Sequence, residues 1–145
     1  MTEPTTLTEV QAFATALSPL AHLATISADG TPDVVPVHPA WRDGTLWVAV
    51  GTNSVKAVNI AANPSVAMHW QVSEAGDGVE VWGQARVHTD VETKRELWEG
   101  VFDYDLNLFM AGPDSPDAAM ISITPTRALI IKAYGAAGMA RWTAD

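Results

Sequence analysis

The sequence contains no cysteine. Disulfide scaffolding, thiolate metal sites and cysteine nucleophiles are therefore excluded, and a reducing, cytoplasmic setting is expected. Basic residues are scarce: 8 Lys and Arg against 17 Asp and Glu give a formal net charge of −9. Binding to nucleic acid or to an anionic membrane surface calls for the opposite sign. No apolar run approaches the roughly 18 residues of a membrane-spanning helix. The opening Met1-Thr2-Glu3-Pro4 lacks the basic region that starts a secretory signal. His22, His38, His69 and His88 have no metal-ligand spacing, and no Gly-x-Ser-x-Gly elbow occurs. Neither a metal centre nor a nucleophilic triad is expected, and no side-chain acid or base stands out as catalytic.

What is present is a chain of 145 residues that is 48% apolar and only 17% charged. That length suits one domain, 1–145, able to remove about 15,000 Å² from water, roughly 68% of its unfolded surface. Thr6 and Glu9 have capping-box spacing, and Val10, Phe13, Ala14 and Leu17 form the apolar stripe of a helix that ends at Ser18-Pro19. Strands are predicted at 22–26, 33–38 and 46–50, separated by Asp29-Gly30 and Asp43-Gly44 turns. Pro36 cannot donate to a ladder, which places its strand at an edge or beside a ligand. Gly51-Thr52-Asn53-Ser54 leads into a helix over 55–62, followed by strands at 65–72 and 79–88. A second capping box, Thr89 with Glu92, opens a helix carrying Leu97, Trp98 and Val101, and 119–133 forms one long strand or a pair kinked at Pro125. Six strands joined mostly by short turns suit a small antiparallel barrel with flanking helices, in which closure removes exposed edges.

One segment invites an anion. Residues 1–72 hold only two basic side chains, Arg42 and Lys56, and Lys56 sits at the start of the 55–62 helix. The first amides of a helix lack internal acceptors and carry about half a positive charge, which suits a phosphate. Thr52 and Ser54 add hydroxyls. On pattern alone the segment reads equally as a phosphate cradle or as a plain capped helix with a solvated lysine. The six tryptophans read first as core or interface packing, and would also suit the walls of a planar cofactor.

Taken in order, His22-Leu23-Ala24-Thr25-Ile26, Asp29-Gly30-Thr31-Pro32, Val34-Val35-Pro36-Val37, Leu46-Trp47-Val48-Ala49-Val50, Ser54-Val55-Lys56, Asn63-Pro64-Ser65-Val66-Ala67 and Gly83-x-Ala85-x-Val87 resemble the pyridoxamine 5'-phosphate oxidase-like split-barrel family. Within it they resemble the short general stress protein 26-type flavoproteins. The resemblance implies a mainly β, six-stranded antiparallel split barrel that forms a homodimer, with FMN held between subunits. It places Val35, Pro36, Val37 and His38 along the flavin ring. Val50, Gly51, Thr52, Ser54 and Lys56 then fall along its ribityl chain and phosphate, with Trp98 or Phe109 of a partner subunit over the ring. It also implies hydride transfer through the flavin between a small-molecule substrate and an electron donor. The alternatives are a reductase using the deazaflavin F420, a flavin- or haem-binding module without turnover, and a dimer whose cleft has lost its cofactor. Asp33 and Val55 stand where classical members carry basic residues, and the C-terminal Arg/His motif is not recognisable around Gly138 to Trp142. Pyridoxamine phosphate is therefore not the expected substrate.

Overall fold

Turn and cap chemistry sets most element boundaries. The computed structural model describes residues 2–145. Strand β1 is Thr2–Pro4, followed by helix α1 (Leu7–Leu17), β2 (Ala21–Ile26), β3 (Pro32–Val37), β4 (Ala40–Arg42) and β5 (Thr45–Gly51). Then come α2 (Val55–Ala62), β6 (Ser65–Trp70), β7 (Gly78–His88), α3 (Val91–Trp98), β8 (Ala118–Ile131) and β9 (Met139–Thr143). Thr6 caps α1 by accepting from the Glu9 amide, and Ser54 caps α2 by accepting from the Ala57 amide. Asp43 and Gly44 both adopt positive φ, as a two-residue hairpin turn of the primed type requires. At α3 the cap is Asp90 rather than the expected Thr89: its carboxylate accepts from the Thr93 amide at 2.9 Å. A charged acceptor gains more at a positive helix start than a hydroxyl does, and hydrogen bonding from the Thr93 hydroxyl, then from its amide, holds the Asp90 pKa below the usual carboxylate value.

The six long strands expected from the sequence all form, and the 118–131 segment is one strand rather than a kinked pair. Three short strands, β1, β4 and β9, are additional. The sheet runs β1-β9-β8-β7-β6-β2-β3, and β5 branches from β8 carrying β4. Every ladder is antiparallel except β1–β9. The sheet does not close, as in a split barrel, and β3 with its Pro36 is a free edge. Among the described residues no helix is long and apolar enough to cross a membrane.

Strand β8 organises the core. One of its edges pairs with β7 from Met120 to Ile131, while the other pairs with β5 through Ile123 and with β9 from Arg127. Pro125, which has no N–H to donate, lies between the two partners. Opposite it the register slips between Trp82 and Gly83, leaving Thr126 as the extra residue. Without that bulge the inward phase of β8 would reverse. With it, Ala119, Ile121 and Ile123 before the bulge and Ala128 and Ile130 after it all enter the main core beside Val10 and Ala14 of α1. The opposite face of the first half, Ala118 and Met120, packs a second cluster with Leu97, Trp98, Phe102 and Leu106. Residues 103–117, between α3 and β8, are anchored on this second face and carry one short 3-10 turn, Leu106–Leu108.

Two outcomes follow from this packing. A Cβ at Gly83 would stand 2.6 Å from Thr124 O and 2.8 Å from Ile123 Cγ2. Gly83→Ala is expected to destabilise by about 1–3 kcal/mol through overpacking at the bulge, read as a lower urea midpoint; an unchanged midpoint would contradict it. The second concerns His88, whose Nε2 lies 2.7 Å from Ser122 Oγ and whose ring contacts Trp47. Burial, then the Arg86 charge, lowers its pKa from the ordinary 6.5, against an opposing pull from Asp90. The unfolded chain therefore binds the proton more readily, so stability falls as pH drops below 6.5. His88→Gln is expected to flatten that part of the stability profile between about pH 6.5 and 5, and a profile parallel to wild type would contradict the assignment.

Candidate functional site

At the end of β5 the chain leaves the sheet at Gly51 and enters α2 at Val55, after three intervening residues. This corner forms one wall of an open cleft of about 430 Å³, lined by Ala49, Val50, Gly51 and Lys56 on one side and by Tyr104, Phe109, Met110 and His38 on the other. The volume falls within the roughly 300–1,000 Å³ typical of small-ligand and cofactor sites.

The α2 end of the cleft has the character of an anion site. Ser54 satisfies the Ala57 amide at 3.3 Å, so Val55 and Lys56 are the first-turn residues whose amides have no acceptor within the helix. Lys56 adds a half-buried ammonium that lines the cleft. The preceding turn is held firmly. Ser54 N donates to Gly51 O at 3.1 Å, and Thr52 N donates to Asp117 O at 2.9 Å. The Thr52 hydroxyl donates to Pro116 O at 2.7 Å. Asn59, buried one helical turn beyond Lys56, donates to Thr25 Oγ1 at 3.0 Å and fastens α2 to β2.

The other wall is aromatic. Tyr104 packs edge-on against Phe102 at 5.7 Å and Phe109 at 5.8 Å, and His38 lies over Tyr104 at 4.5 Å between ring centroids. The Asp103 carboxylate sits against His38 Nε2, off the line of a good hydrogen bond. Burial, then the Asp103 charge, raises the Tyr104 pKa above its ordinary 10.0, so its phenol stays neutral and able to donate near neutral pH. A cationic, amide-rich end facing an apolar aromatic wall fits a ligand with an anionic tail and a planar head. FMN has that form, and Gly51, whose Cβ would meet only Asp117 O at 3.9 Å, leaves room along the backbone between the two ends.

The residues singled out from the sequence go to different places. His38, Val50, Gly51 and Lys56 line the cleft. Thr52 and Ser54 stand beside it, with their hydroxyls engaged within the protein. Val35 and Val37 turn inward to the main core, and Pro36 is exposed on the opposite face of β3. Phe109 is 73% exposed and lines the cleft of its own chain. Trp98 is only 7% exposed, and its Nε1 donates to Asn107 Oδ1 at 2.9 Å, which makes it an anchor for the 103–117 segment. Tyr104 and Met110 were not anticipated. They lie about fifty residues along the chain from β5, and nothing local marks them. The histidines do not gather at the cleft: His22 on β2 and His69 on β6 are ladder partners, and His38 and His88 are placed as above.

A comparison with curated proteins found no match. Among solved structures, general stress protein 26 from Bacillus anthracis str. Sterne superposes with a TM-score of 0.70 at 23% identity, over 86% of this chain and 92% of that one. A pyridoxamine 5'-phosphate oxidase-related, FMN binding protein from Nostoc punctiforme PCC 73102 gives 0.64 at 14% identity, over 93% and 85%. A heme binding protein from Mycobacterium smegmatis gives 0.75 at 17% identity; the match spans 96% of this chain and 58% of that one. At these identities the likeness is one of fold. The family profile described as pyridoxamine 5'-phosphate oxidase matches residues 7–132, and the chain belongs to that family.

Proposed function

We propose that the cleft between β5, α2 and the 103–110 segment binds FMN, and that the protein is a flavin-dependent oxidoreductase acting on a small molecule as a homodimer. The observation that carries this reading is the pairing, in one cleft, of Lys56 and the α2 amides with the Tyr104–Phe109 wall. Family membership and the printed description of the Nostoc punctiforme neighbour support it.

When bound, the flavin supplies the hydride chemistry, and the protein supplies binding and orientation. Lys56 and the amides of Val55 and Lys56 hold the phosphate by charge and by donated hydrogen bonds. Tyr104 and Phe109 cover a planar surface and exclude water from it. His38, with Asp103 against one ring nitrogen, borders the space left for a substrate. The cleft is open on one side; Phe109 in its wall is an exposed apolar residue, as are Leu108 and Val55, each next in sequence to a lining residue. A second copy covering them would remove apolar surface from water and close the site. Asp33, in place of a base, offers no cation for a substrate phosphate, which favours substrates other than pyridoxamine phosphate.

One observation favours a second reading: the imidazole of His38 stands in the cleft wall, and a neighbour of the same fold is described as heme binding. The visible spectrum separates the two. Titration with FMN, deazaflavin F420 and haemin is expected to show saturable binding of FMN, with flavin fluorescence quenched and a particle of twice the 15.5 kDa chain mass. A Soret band formed with haemin and no response to FMN would favour the haem reading, a response to F420 alone would move the assignment to a deazaflavin, and no response to any would remove all three. Lys56→Ala is expected to weaken FMN about tenfold to a hundredfold, the equivalent of roughly 1.5–3 kcal/mol for a hydrogen bond to a charged group. Unchanged FMN affinity in that variant would remove Lys56 from the phosphate site.

A further inference from the structure

Lys94 is a charged side chain in a place where charge is costly. It is 1% exposed, on the face of α3 that also buries Leu97 and Trp98. The ion pairs among the described residues, His38–Asp103 and Arg95–Asp114, do not include it. A buried ammonium without a carboxylate persists only where its donors are well satisfied. Here Nζ donates to Ser115 O at 2.9 Å and to Ala118 O at 3.0 Å. Those carbonyls are the first and last of the four-residue turn 115–118, which the Ala118 amide closes onto Ser115 O. The two carbonyls between them, Pro116 O and Asp117 O, take the hydroxyl and the amide of Thr52. One turn is thus gripped from both sides, its outer carbonyls by α3 and its inner carbonyls by the corner that leads into α2. Ala118 is also the ladder partner of Gly51 in the cleft floor. Filling the space beside Leu97, Trp98 and Met120 needs only an apolar side chain such as Met. A lysine adds the hold on the turn.

We propose that Lys94 is a positioning residue for the anion-binding end of the cleft, acting through the 115–118 turn and Thr52 on the amides of Val55 and Lys56. The proposal rests on the reading of that end as a phosphate site. Releasing the turn frees Thr52, and the first turn of α2 then no longer presents its amides in a fixed direction. The aromatic end depends on other contacts, namely Trp98 with Asn107 and Phe102 with Tyr104. The effect is therefore confined to the phosphate.

Comparing FMN with riboflavin, which lacks the phosphate, tests this. Lys94→Met is expected to weaken FMN binding about tenfold, within the usual range of coupling between linked sites, and to leave riboflavin binding unchanged. By reciprocity, FMN but not riboflavin is expected to slow hydrogen exchange of the Thr52 amide and the Lys94 ammonium in the wild-type protein, read by NMR. That measurement needs no variant to fold. Equal losses for both flavins, no loss for either, or wild-type exchange at Thr52 and Lys94 indifferent to FMN would overturn the proposal. Wild-type protein that binds neither flavin overturns the phosphate reading by itself. The link is then decided by Thr52 exchange in Lys94→Met without ligand: faster exchange supports it, and an unchanged rate overturns it.

Discussion

Strand β8 has two different jobs along one edge, and the rest of the molecule is arranged around the change at Pro125. Before the proline it holds β5, and after it β9. The bulge at Thr126 lets a single strand keep its apolar residues inward on both sides of the change. The branch sends β5 away from the main path of the sheet, so the barrel stays split. The end of β5 pairs with β8 on one edge only, since β4 reaches no further than Trp47, and it opens onto a cleft.

The cleft depends on that branch. The pleat of β5 puts Leu46, Val48 and Val50 toward the main core and turns Trp47, Ala49 and Gly51 to the other face. The second cluster on that face anchors the 103–117 segment through Trp98, Phe102 and Leu106. That segment in turn brings Tyr104, Phe109 and Met110 opposite Gly51 and Lys56. Three stretches distant in sequence meet there because one strand has two packed faces. Strand β8 starts at Ala118, where the turn held by Lys94 and Thr52 joins the sheet to the start of α2.

Much of the scaffold was legible in the sequence, and the reasons are local. Ser54 and Asn63 bound α2 at 55–62 as expected, because the cap and the Asn-Pro stop act within a few residues. Lys56 stood out because basic residues are rare before it. What was not legible depends on tertiary contact. In Val34-Val35-Pro36-Val37 no polar residue alternates with the apolar ones, so the pattern does not say which side chains face inward, and the structure turns Val35 and Val37 to the core. Strands β1, β4 and β9 have three to five residues each, too short for a periodicity. Lys94 lies in a polar helix beside Arg95 and Glu96, where a lysine reads as solvated. Only the fold of the 115–118 turn over it shows otherwise.

The central claim is that the corner between β5 and α2 holds the phosphate of a planar cofactor whose ring lies toward Tyr104 and Phe109. A crystal structure of the protein grown with FMN tests it most directly. The account predicts phosphate density within hydrogen-bond distance of the Val55 and Lys56 amides and of Lys56 Nζ, with the ring system along the aromatic wall. Flavin density in another part of the molecule, or a phosphate turned away from the start of α2, would contradict it.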